Sequence, residues 1–143
     1  VYGTVPVPKK KRSMPYRRIT PRDMWVDDPS SPLYNQHFVL KHDPVTPWEF
    51  KQQMKLNDYA HSLKLFIRHN AAGDQGHPVA GGGSSIFFHI WRRDGQAPTA
   101  GCTAMSEENL RAMIAWLDPS KHPLYVLLPS REYLRLRKAW GLP

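Results

Sequence analysis

The chain has 143 residues, enough for one domain with a real core and too few for two well-packed ones. With 41% hydrophobic, 11% aromatic and 22% charged residues it lies far from the composition of a disordered chain, and no apolar run approaches the roughly 20 residues of a membrane helix. A balance of 20 Lys and Arg against 12 Asp and Glu, net +8, favours anionic partners or simple solubility. The basic residues are scattered apart from Lys9 to Arg12, Arg17-Arg18 and the tail Arg131 to Lys138, with no nucleic-acid motif beside them.

Val1 carries neither an initiator Met nor a signal-peptide pattern, so the start reads as a processed or truncated end. Residues Val1 to Pro32 hold six prolines, which predicts short extended pieces and turns. Trp25, Tyr34 and Phe38 give this stretch aromatic mass to pack with, and Trp25-Val26-Asp27-Asp28-Pro29 sets two carboxylates beside an indole. Asp28 before Pro29 reads as turn-stabilising.

Thr46-Pro47-Trp48-Glu49 predicts a helix start, with Thr46 as cap, Pro47 in the first position and Glu49 closing a capping box. The helix is expected to run to about Tyr59. Leu63, Leu65 and Ile67 then alternate with Lys64, Phe66 and Arg68, as in a strand. A Gly-rich loop from Asn70 to Gly83 follows, with Gly73, Gly76 and Gly81 to Gly83; it lacks the setting of a phosphate loop. Ser85 to Trp91 reads as a central strand, apolar on both faces, and a turn-rich loop from Arg92 to Gly101 leads to Cys102. Ser106 caps a second helix with acids in its first turn, and Leu110, Met113, Ile114 and Leu117 give it one apolar side before Pro119 stops it. Leu124 to Leu128 predicts a last strand, and Ser130 to Trp140 a terminal helix closed by Gly141. There is no internal repeat. The expected fold is mainly β with two or three peripheral α-helices.

Chemistry concentrates around the single cysteine, which excludes an internal disulfide. His89 ends a buried strand and Cys102 follows 13 positions later across a flexible loop, so imidazole and thiol can meet in space. A thiol with a pKa of about 8.5 is mostly protonated at neutral pH, and an imidazole within reach removes its proton and later returns it to a leaving amine. A backbone carbonyl is the expected acceptor for the other ring nitrogen. Gly101 permits a tight turn, and the amides of Cys102 and Thr103, ahead of the helix capped near Ser106, are candidates for an oxyanion site. On residue types alone a buried cysteine and a satisfied core histidine remain the competing reading.

The block Gly83-Ser84-Ser85-Ile86-Phe87-Phe88-His89, followed by Pro98-Thr99-Ala100-Gly101-Cys102-Thr103-Ala104-Met105, resembles the YkuD-type L,D-transpeptidase family, in its branch with a His-loop-Thr-x-Gly-Cys motif. The likeness extends to Trp116-Leu117-Asp118-Pro119 and upstream to Trp25-Val26-Asp27-Asp28-Pro29, Tyr34-Asn35 and His69-Asn70. It implies a single β-sandwich-like L,D-transpeptidase catalytic domain over 1–143, with part of its N-terminal region missing. It also implies attack by Cys102 on the peptide bond after the L-centre of meso-diaminopimelate in peptidoglycan stem peptides. The acyl-enzyme then passes to an amine or to water, making the chain a transpeptidase or a carboxypeptidase.

By the same resemblance Cys102, His89, Gly101 and Thr103 are catalytic, and Trp25, Asp27, Tyr34 and Asn35 line the cleft. Ser84 and Thr99 either orient substrate or bond loop backbone. Two residues depart from the commonest motif. Ala100 stands where it has a histidine, and Thr103-Ala104 where an arginine follows the cysteine. Arg92, Arg93 and Arg111 are candidate substitutes for that arginine as anchor of a substrate carboxylate. Neither metal nor organic cofactor is expected, and the other histidines (His37, His42, His61, His69, His77, His122) read as surface residues without metal-ligand spacing. The expected setting is the bacterial cell envelope, with no membrane span, no nucleic-acid partner and a monomer. Rivals are a sortase-like site using His37 and Arg111, another cysteine peptidase, and a non-catalytic cell-wall or nucleic-acid binding module. Papain-like and NlpC/P60-like peptidases place the cysteine before the histidine, which counts against them.

Overall fold

The strand period of two decides the architecture. In Leu63–Phe66 (β5) and Phe87–Ile90 (β6), Leu63, Leu65, Phe88 and Ile90 point to one face, while Lys64, Phe66, Phe87 and His89 point to the other. The computed structural model describes residues 1–72 and 76–143, with Tyr2–Gly3 (β1), Arg17–Arg18 (β2) and Thr103–Met105 (β7) completing a five-stranded sheet in the order β2-β1-β5-β6-β7. The pairs β1–β5 and β5–β6 are antiparallel, and β1–β2 and β6–β7 are parallel. The strand expected over 85–91 is therefore central, but it is shorter: it covers Phe87–Ile90, all four buried, because Ser85 turns out of the ladder at φ +55° and Trp91 is exposed.

Each face is covered by a different layer. On one side, Leu110 and Ile114 of Glu107–Trp116 (α2), both fully buried, pack onto Leu63, Leu65, Phe88, Ile90, Val1 and Val7. On the other, the antiparallel hairpin of Asp23–Trp25 (β3) and His37–Val39 (β4) sets Trp25 with Ile19, Met54 and Phe87, and Tyr2, Phe66 and Cys102 pack against this cluster. Among the described residues, seven strands in two sheets, with helices at the periphery, make this the β-rich fold that the sequence predicts.

Pro47–Gln52 (α1) has the expected capping box: the Glu49 amide donates to Thr46 Oγ1, and Glu49 Oε2 accepts from the Thr46 amide. It ends at Gln52, well short of Tyr59, because the chain turns there to pair with the hairpin. Gln53 bridges Met24, and the Met54 amide donates to the Asp23 carbonyl at 2.9 Å. The strand expected over 124–128 is absent as well. The segment is extended between Pro123 and Pro129, unpaired, with Leu124 94% exposed. Tyr125 anchors it: the ring meets Phe88 edge-on at 4.6 Å and the hydroxyl bonds Thr103 Oγ1. Ser130–Leu136 (α3) closes through turns to Gly141, at φ +62°. Of the Gly-rich loop, Gly73 lies outside the described residues. Among the described residues no helix is long and apolar enough to cross a membrane.

Candidate active site

Cys102 directly precedes β7. The register Thr103↔Phe88 and Ala104↔His89 sets it beside Phe87, and alternation turns its side chain to the face that carries Phe87 and His89. The strand thus brings sulfur and imidazole to one face. Gly101 makes the approach possible. Its φ is +137°, in the region that L side chains avoid, and a Cβ there would meet Ile86 Cδ1 at 3.2 Å.

His89 is 2% exposed. Its Nδ1 donates to the Ile90 carbonyl at 2.7 Å, so the expected backbone acceptor exists and Nε2 keeps the free lone pair. Burial, foremost, lowers its pKa from the ordinary 6.5; the Ile90 carbonyl opposes this, and the charges of Arg92 and Lys64 add to it. The ring is therefore a neutral base at neutral pH. Cys102 is half-buried, and its Sγ donates to the Ser85 carbonyl at 3.5 Å rather than to His89. Contact with Nε2 thus requires a turn of the thiol, of the kind that substrate binding commonly completes.

Ser85 is held for that contact by Asn35. Ser85 has a φ of +55°, costly for a non-glycine residue. Its amide donates to Asn35 Oδ1 at 3.0 Å, and the same oxygen accepts from Trp25 Nε1 at 2.9 Å. Asn35 Nδ2 in turn donates to the carbonyls of His69 and Asn70. Asn35 and Trp25 are buried and support the wall from behind, while Tyr34, also largely buried, lines a separate surface hollow with Pro29 and Pro32. Asp27 is exposed and accepts from the Ser84 hydroxyl. Asp28 caps a turn through Ser30, in line with its sequence reading, and also accepts from Trp48 Nε1. Thr99 Oγ1 donates to the Cys102 carbonyl at 2.6 Å, which is the loop-bonding alternative.

Thr103 turns to the opposite face, where its hydroxyl meets Tyr125. Three strand residues separate Cys102 from α2, so the helix dipole is not aimed at the thiol. β7 is an edge strand, however, and the Cys102 amide has no acceptor among the described residues.

Sequence reasoning missed three groups. His61, expected at the surface, stacks on His89 with ring centroids 4.7 Å apart. Asp58 accepts from His61 Nδ1 at 2.7 Å and from Arg92 Nη2 at 2.6 Å. Lys64, read as a polar strand position, is 4% exposed and donates from Nζ to the Met54 carbonyl at 2.6 Å. The histidine spacing Asp58-x-x-His61 is the one signal in the sequence that pointed to the first pair. Nothing in the alternation marked Lys64 as buried.

Of the candidate anchors, Arg92 is engaged by Asp58, Arg93 lies exposed on its loop, and Arg111 pairs with Glu107 on α2, on the far face of the sheet. That placement removes Arg111 from a sortase-like arrangement, and His37 is bound to buried Asp23 at 2.9 Å. Two surface hollows, of about 490 Å³ near Tyr133 and about 330 Å³ near Tyr34, do not include Cys102. Among the described residues no cluster of three His, Cys, Asp or Glu side chains is arranged to hold a metal ion.

The family YkuD, the L,D-transpeptidase catalytic domain, matches residues 3–126. The chain belongs to this family. The match runs from Gly3 in β1 past α2 and leaves out Val1, Tyr2 and residues 127–143, so Lys64, His89 and Cys102 of this YkuD domain all lie inside it. No curated protein and no solved structure matches the chain. YkuD domains act on peptidoglycan.

Proposed function

We propose that this YkuD domain is a cysteine acyltransferase acting on peptidoglycan stem peptides in the extracytoplasmic space, with Cys102 as nucleophile and His89 as base. The observation that carries the reading is the shared face: Cys102 packs beside Phe87 on the side where His89 lies, with Nδ1 of that ring tied to Ile90 and Nε2 free.

In the first half-reaction Nε2 takes the thiol proton and Sγ attacks the carbonyl carbon after the L-centre of meso-diaminopimelate. The carbonyl oxygen takes up the electron pair, and the unpaired Cys102 amide is the donor that meets it. Collapse breaks the C–N bond, and His89 gives its proton to the departing amine of the terminal residue. A thioester on Cys102 remains. An incoming amine then loses its proton to Nε2 and attacks, forming a new peptide bond and freeing the thiol; water in its place gives a trimmed stem.

Incubation with a disaccharide-tetrapeptide, with and without an amine acceptor, separates the two outcomes. Cross-linked product that depends on the acceptor marks a transpeptidase, and released D-Ala alone marks a carboxypeptidase. Neither product in either arm contradicts the reading.

A further inference from the structure

Lys64 is the group on the site face that the reaction as written leaves unused. It sits in β5 directly opposite His89, so both side chains project to the side that carries Phe87 and Cys102. Its ammonium is buried, with Nζ bonded to the Met54 carbonyl and 5.5 Å from the centre of the Phe87 ring. A cation sunk in a strand is costly unless a counter-charge accompanies it. No carboxylate forms a salt bridge with Lys64 among the described residues. An apolar side chain would fill the same place at less cost.

Two nearby groups can supply that counter-charge, the Asp58 carboxylate and the Cys102 thiol. Asp58 is taken up by His61 and Arg92, and Asp23, at the start of β3, by Arg17, Thr20 and His37. His61 and His89 are kept neutral chiefly by burial, and burial also raises the pKa of Tyr2. We propose, on the reading of Cys102 as nucleophile, that Lys64 is a positioning residue whose buried cation stabilises the thiolate of Cys102. Burial lowers the Lys64 pKa to about 8, and the charges of Cys102 and Asp58 oppose that fall. The same cation disfavours protonation of His89, which keeps Nε2 open.

Cys102 is the only cysteine, so alkylation by iodoacetamide, followed by mass spectrometry across pH 5 to 10, reads its thiolate fraction and needs no peptidoglycan substrate. Lys64→Met removes the charge and keeps the bulk, and Lys64→Gln also keeps a donor for the Met54 carbonyl. Both variants are expected to shift the inflection up by about one unit, giving roughly tenfold slower alkylation at pH 7 and rates that converge with wild type at high pH. Loss of rate in Lys64→Met that Lys64→Gln restores would make the lysine a structural strut and overturn the proposal. An unchanged inflection in both folded variants would overturn it too, and would leave the assignment of nucleophile and base untouched.

Discussion

The ring of His61 lies on that of His89, 4.7 Å between centroids and 27° from parallel, with Asp58, itself bound by Arg92, accepting from His61 Nδ1 behind it. Two stacked imidazoles cannot both carry charge cheaply, and a ring wedged in this way has few rotamers left. His61 therefore fixes the plane in which His89 presents Nε2. His61→Phe is expected to preserve the stack and most of the thioester-forming rate with a stem tetrapeptide. His61→Ala is expected to lose that rate several-fold. Equal rates in the two variants would remove the stack from the account.

Burial of His89 has a consequence for pH. Its folded pKa is below 6.5, so the neutral base persists as pH falls through 6.5. The acid limb of thioester formation is expected below pH 6.5, and a pH profile of the rate with an inflection above that value would contradict it. The unfolded chain takes up its proton first as the pH drops below 6.5, so this group also makes the fold less stable from there downward.

Acid stability is set lower still. Asp23 is fully buried; burial pushes its carboxyl up, but hydrogen bonds from Arg17, Thr20 and His37 outweigh it and hold the pKa at about 2. A depressed carboxylate stabilises the fold above its unfolded value of 3.8, and that contribution disappears as pH falls towards 2. Asp23→Asn is expected to cost about 2–3 kcal/mol at pH 7 in denaturant unfolding, with the gap to wild type narrowing towards pH 2. A gap that stays constant over that range would argue that lost packing, not charge, is responsible.

Asn35→Ala should act on both stability and the site. It leaves Trp25 Nε1 and the Ser85 amide without their shared acceptor and puts alanine at a φ of +53°. A loss of about 2–4 kcal/mol in thermal or denaturant unfolding is expected. Release of Ser85 also frees the carbonyl that holds Sγ, so the alkylation rate of Cys102 should change in the folded variant. An unaltered rate would disconnect Asn35 from the thiol.

Much of this was legible in the sequence for a simple reason: local patterns specify local structure. The capping box at Thr46 and Glu49, the cap at Ser106, and the apolar run through Phe87 and Phe88 each fix an element without reference to the rest of the chain. What the sequence hides depends on tertiary partners. α1 stops at Gln52 because the hairpin offers Met24 and Asp23 as partners, which no helix propensity records. Leu124 to Leu128 has the residues of a strand and no neighbour to pair with. Lys64 obeys strand alternation and is still buried, because both faces of β5 are covered, one by α2 and the other by the hairpin cluster. Asn35 and Trp25 belong to the resembling segments, yet they act from beneath the surface, a distinction that only burial makes visible.

The central claim is that Cys102 carries the acyl group. Its most direct test is the mass of the intact protein after brief exposure to a stem tetrapeptide, followed by proteolysis at mild acid pH to preserve a thioester. The account predicts an adduct equal to the acyl fragment without its terminal residue, confined to the peptide containing Cys102, absent from Cys102→Ala and strongly reduced in His89→Gln. An adduct that persists in Cys102→Ala would contradict it, as would turnover of the peptide by that variant.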